Sequence, residues 1–121
     1  MKIKPLFIVI CILVISLFPF GKAYPKIRKL RDDGSDIYFD EASINAVGYY
    51  LMNLEKIHEA IEVFKLNVEV FPQSSNVYDS LGEAYMKSGE KQNAIINYKK
   101  SLELNPDNNN AKEMLKKLKK K

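Results

Sequence analysis

Two kinds of hydrophobic patterning divide the chain. From Leu6 to Phe18 the residues are apolar without interruption except for Ser16. From about residue 41 onward, apolar residues recur at three- and four-residue spacings among polar ones. That spacing places them along one side of an α-helix. Leu81, Ala84 and Tyr85 make one such stripe; Ala94, Ile95, Tyr98 and Leu102 make another. Ser74 or Ser75 is suited to cap the first, Gly89 to end it in a left-handed conformation, and Pro106 to stop the second. The predicted helices are 76–87 and 91–104. Upstream, the same reading gives helices near 41–52 and 57–71, joined by a turn at 53–56 and closed by Pro72. After the turn-forming run Asp107-Asn108-Asn109-Asn110, the stripe Ala111, Met114, Leu115 and Leu118 predicts a last amphipathic helix with lysines on its other face. The expected class is all-α.

A shift of 34 positions superimposes the chain on itself. Gly48 falls on Gly82, Ala60 on Ala94, Phe64 on Tyr98 and Pro72 on Pro106. Ile44, Val47 and Leu51 fall on Tyr78, Leu81 and Tyr85. Such a period marks an array of helix-turn-helix units. A glycine costs a helix interior about 1 kcal/mol relative to alanine, so Gly48 and Gly82 imply close helix approach. Small residues let the paired helices meet, and Phe64 or Tyr98 fills the space between them.

On these residues, 41–74 and 75–108 resemble two tetratricopeptide repeats. The second is the nearer match, with Tyr78, Leu81, Gly82, Tyr85, Ala94, Tyr98 and Pro106 at the signature places and Ser101 where a small residue is usual. The first keeps Gly48, Ala60, Phe64 and Pro72 but has Ile44, Leu51 and Asn67 at the other places. The resemblance implies a short α-solenoid of two units, ended by a basic capping helix at 109–121. It also implies a concave face lined by the first helix of each pair. By position that face holds Asn45, Tyr49 and Met52, then Asn76, Asp79, Glu83 and Met86. Members that clamp a partner's terminal carboxylate use Lys and Asn at two such places. Here those places hold Asn45, Tyr49, Asp79 and Glu83, so the clamp is absent. An acidic patch with a tyrosine and two methionines suits a basic or mixed extended peptide. The alternative is a face that is only solvated, or covered by residues 24–39. Arrays usually need three or more repeats, so either residues 24–39 and the last helix complete the core or the chain associates with itself or a partner.

The N-terminal run has a different character. Lys2 and Lys4 precede it, Pro19 and Gly21 end it, and Gly21-Lys22-Ala23 offers small residues for signal peptidase. Residues 1–23 are therefore expected to be a secretory signal, cut between Ala23 and Tyr24, with 24–40 a linker. The run is shorter than the roughly 20 residues of a spanning helix. If uncut, it is an inner-membrane anchor. Cys11, the only cysteine, follows Ile10 rather than a small residue, which rejects a lipoprotein signal. The expected location is the periplasm or the extracellular space, for a domain held by packing without disulfides.

Charge is unevenly spread. The chain has 19 Lys and Arg against 15 Asp and Glu; without Lys2, Lys4 and Lys22 the balance falls to +1. Residues 112–121 hold six lysines and one acid, net +5, which leaves 24–111 at −4. The basic end reads as a solvated helix or as a contact for anionic lipid or nucleic acid; a nucleic-acid partner is not expected.

Little here points to catalysis. Ser88-Gly89-Glu90-Lys91 matches a Ser-x-x-Lys nucleophile motif, but the Ser-Asp-Asn and Lys-Thr-Gly elements that accompany it are missing and the motif straddles a turn. His58 is the only histidine and has no thiolate or second imidazole to complete a zinc set. Asp32 to Asp36 resembles a calcium loop in composition only. Asp79 and Glu83 share a helix face without forming a defined catalytic pair. No cofactor or metal is expected. The repeat pair also resembles the C-terminal repeats of some bacterial serine hydrolases of the β-lactamase type, and no catalytic residue carries over. The expected function is an exported protein-interaction scaffold; the alternative is an accessory subunit or remnant of such a hydrolase.

Overall fold

The structure, a computed structural model, describes residues 40–120. The expected signal segment, its cleavage point and nearly all of the linker lie outside the described residues. Among the described residues the chain forms five helices: α1 (Glu41–Asn53), α2 (Ile57–Val70), α3 (Ser75–Ser88), α4 (Lys91–Leu104) and α5 (Asn109–Lys119). Each predicted helix is present, with ends shifted by two residues at most. The helices stack in order as antiparallel pairs, α1 on α2 and α3 on α4, with α2 packed on α3, α4 on α5 and α1 touching α3.

Local chemistry explains the boundaries. Asp40 starts α1 by accepting the Ser43 backbone N–H at 2.8 Å and the Ser43 hydroxyl at 2.6 Å. These bonds, the hydroxyl's first, hold the Asp40 carboxyl below its ordinary range. Asn108 starts α5 by accepting the Ala111 N–H at 3.1 Å. Ser74 stands at the N-cap of α3 in extended conformation, but its hydroxyl makes no capping bond. The sequence expectation holds for the position and not for the bond. Phe71 and Asn105 leave the helical region because each precedes a proline, and α2 and α4 stop one residue earlier. Gly89 ends α3 with φ +82°. Glu55, 34 residues before it, takes a left-handed φ of 59° without glycine's freedom.

The core runs along the stack and joins Ile44, Val47, Leu51, Ala60, Phe64, Leu81, Ala84, Tyr85, Ala94, Tyr98, Ala111 and Leu115. Gly48 packs under Phe64 and Gly82 under Tyr98, so each glycine faces the aromatic ring 16 residues on. Asn67 and Ser101, both fully buried at the place where a small residue is usual, do different work. The Asn67 amide donates to the Glu41 carbonyl at 3.1 Å, while Ser101 Oγ accepts from Asn108 at 2.8 Å. Among the described residues no helix is long and apolar enough to cross a membrane.

Candidate peptide-binding face

α1 and α3 present successive turns of the first-helix face, and the 34-residue period aligns them. Tyr49 and Glu83 occupy equivalent places and meet: the Tyr49 hydroxyl donates to Glu83 Oε2 at 2.9 Å and lies 3.3 Å from Ser80 Oγ. The Tyr49 ring stands edge-on to Phe64, centroids 5.3 Å apart at 73°. Burial first, then the Glu83 carboxylate, pushes the Tyr49 phenol up to about 12, against the lowering effect of its bond to Ser80. Tyr98 is raised further, by burial and by the charges of Asp79 and Glu83. Its hydroxyl donates to Met86 Sδ at 3.5 Å.

The other expected residues divide into two groups. Asn76 is exposed, and its amide donates to Glu41 Oε1 at 2.9 Å. Asn45 is partly exposed, and its amide oxygen is buried without a hydrogen-bond partner. Met52 differs from expectation: at 3% exposure it belongs to the core and offers no thioether to the face. Met86 is half-buried and packs at the core's edge.

Asp79, expected on this face, is also a joint. Its two carboxylate oxygens accept the amides of Asn108 at 3.0 Å and Asn110 at 2.8 Å, both at the start of α5. α5 therefore does more than cover the core, since it extends the face as a third first-type helix. Asn108 and Asn110 were missed as face residues. The signal was available, because Asn110 stands 34 positions after Asn76 just as Asn76 follows Ala42.

Both carboxylates on α3 are satisfied by neutral donors only. Among the described residues ion pairs form elsewhere, between Lys65 and Glu62, Lys100 and Glu103, and Lys117 and Glu113. Among the described residues, no cation pairs with Asp79 or Glu83, one turn apart on the face.

The Ser-x-x-Lys segment is a joint as well. Ser88 is the last residue of α3 and Lys91 the first of α4. Ser88 Oγ lies 3.0 Å from the Tyr85 carbonyl and 3.1 Å from Glu90 Oε1, with no bond to Lys91. Among the described residues no group of His, Cys, Asp and Glu side chains is placed to hold a metal.

Comparison with known proteins agrees with this architecture. Residues 75–108 match the tetratricopeptide repeat family. Superkiller protein 3 of Schizosaccharomyces pombe (strain 972 / ATCC 24843) is 31% identical over 62 residues, 51% of this chain. The chain spans only 4% of that relative's length. Among solved structures, the first TPR of Spaghetti (RPAP3), bound to HSP90 peptide SRMEEVD, is similar with a TM-score of 0.63 at 22% identity. The likeness covers 67% of this chain and 64% of that one. At that identity it shows the fold, an all-α short solenoid of the tetratricopeptide type.

Proposed function

We propose that this chain is a non-catalytic interaction module that receives an extended, cationic stretch of a protein or peptide partner across α1, α3 and α5. The observation that carries the reading is the pair Asp79 and Glu83, held in place by Tyr49, Asn108 and Asn110 and, among the described residues, paired with no cation. Donors without charge fix a carboxylate's geometry and leave its field intact, which favours a positive ligand. A similar fold bound to a peptide supports a peptide ligand, and its positive charge is argued from Asp79 and Glu83 alone. The clamp positions hold no lysine, so selection by a terminal carboxylate is not part of the reading.

We place the protein outside the cytoplasm, from the apolar run 6–18 and the small residues before Tyr24. It is released if the segment is cut and anchored if it is not.

Titration with lysine-rich and with glutamate-rich extended peptides tests the binding claim. The lysine-rich set is expected to bind and to weaken as salt rises. Equal binding of both sets would remove the basis for the reading.

A further inference from the structure

The outer side of α5 carries a second charged surface, opposite in sign and apart from the peptide face. Lys112, Lys116, Lys119 and Lys120 follow one another at i, i+4, i+7 and i+8, all exposed. On a helix this spacing forms one stripe about 12 Å long. Lys117 pairs with Glu113 at 3.0 Å, while none of the four stripe lysines has an ion pair. The stripe stands 34 residues after Tyr78, Gly82, Tyr85 and Met86, of which Gly82 and Met86 meet Tyr98 of α4. It therefore occupies the end of the stack, where a further helix would otherwise pack.

Ending a stack requires a polar surface but not a cationic one. Like charges at i and i+4, here Lys112 with Lys116 and Lys116 with Lys120, oppose helix formation. The negative end of the helix dipole offsets part of that repulsion for the last-turn lysines, while among the described residues no carboxylate pairs with any of the four stripe lysines. We propose that the stripe docks the protein on an anionic lipid bilayer, end-on, with the acidic body pointing away. Residues 112–120 are net +4 and residues 40–111 net −5, so the described part of the molecule is a dipole that a negative plane would orient in this way. A bilayer fits better than nucleic acid. The stripe has lysines alone, without the arginine forks or stacking aromatics that read bases. A planar surface also meets only this end of the molecule and avoids the acidic face. Clusters of four or more basic residues on an amphipathic helix suit acidic headgroups.

The test is cosedimentation of the chain as isolated with phosphatidylcholine vesicles, with and without phosphatidylglycerol, at low and high salt. Binding through the apolar residues 6–18 would be common to both vesicles, and the N-terminal basic residues Lys2, Lys4, Lys22, Lys26, Arg28, Lys29 and Arg31 are common to wild type and variant, so the change in the vesicle difference on mutating the stripe reports the stripe. Phosphatidylglycerol is expected to strengthen binding, and high salt to remove the gain. The quadruple variant K112Q/K116Q/K119Q/K120Q is expected to lose at least about tenfold of that gain. Its Lys→Arg counterpart is expected to keep it, which separates charge from fold. Equal binding to both vesicles, or an unchanged gain in the Gln variant, would overturn the proposal. So would tighter binding to a DNA duplex than to the anionic vesicle at the same salt.

Discussion

The ring of Phe64 lies so close over Gly48 that a Cβ at position 48 would overlap it. At the equivalent position one repeat later the approach is looser, since a Cβ on Gly82 would sit 3.1 Å from Tyr98 Cε1. Alanine gains about 1 kcal/mol of helix propensity at either site, and overpacking a core costs about 1–3 kcal/mol. Gly48→Ala is therefore expected to destabilise by roughly 1–2 kcal/mol, whereas Gly82→Ala should be near neutral. Denaturant unfolding of both variants checks this. Gly48→Ala at least as stable as Gly82→Ala would contradict the packing.

Tyr49 joins the two repeats through Glu83. Its folded pKa, raised from 10.0 to about 12, means that the folded state holds the phenolic proton more tightly than the unfolded chain. The stability this gives is complete below about pH 10 and is lost as pH rises toward about 12. Tyr49→Phe should cost about 1 kcal/mol at neutral pH through the lost hydrogen bond. It should also lessen the fall in stability between pH 10 and pH 12. Tyrosine absorbance at alkaline pH, compared between wild type and variant, follows the same group directly.

Asn108 ties three helices together, accepting from Ala111 in α5 while its amide contacts Asp79 of α3 and Ser101 of α4. Asn108→Ala removes a cap worth about 1 kcal/mol and leaves the buried Ser101 hydroxyl without that donor. α5 should then open ahead of the other helices. Amide hydrogen exchange is the readout, with protection expected to fall first over residues 111–119.

Glu55 holds a left-handed conformation where the second repeat has Gly89. A non-glycine residue there costs roughly 1 kcal/mol. Glu55→Gly is expected to raise the melting temperature, and Gly89→Ala to lower it. Thermal unfolding of the pair tests the equivalence of the two turns.

Much of the fold was legible because its determinants are local and repeat. Apolar stripes, prolines and Gly89 locate helices within one or two residues, and the 34-residue period pairs Gly48 with Gly82 and Phe64 with Tyr98 before any coordinates. The face was legible only by position. Equivalence in a repeat says where a side chain starts, not what it reaches. Met52 is buried in the core, although a simple wheel puts it near Tyr49. Asp79 meets Asn108 and Asn110 only because α5, packed on α4, starts beside α3, a contact set by how the helices stack rather than by spacing within one of them. The Ser74 hydroxyl is a similar case. Residue type and place favour a cap, and its side chain does not make one.

The central claim is that the carboxylate charge on α3 selects a cationic peptide. Glu83 tests it better than Asp79, because Asp79 also anchors α5 while Glu83 is held by Tyr49 alone. The decisive measurement is calorimetric titration of a lysine-rich extended peptide into wild type, Glu83→Gln and Glu83→Lys. The account predicts progressive loss of affinity, about fivefold or more at the first step and further at the second, with the helical circular dichroism unchanged. Equal affinity across all three proteins would contradict it.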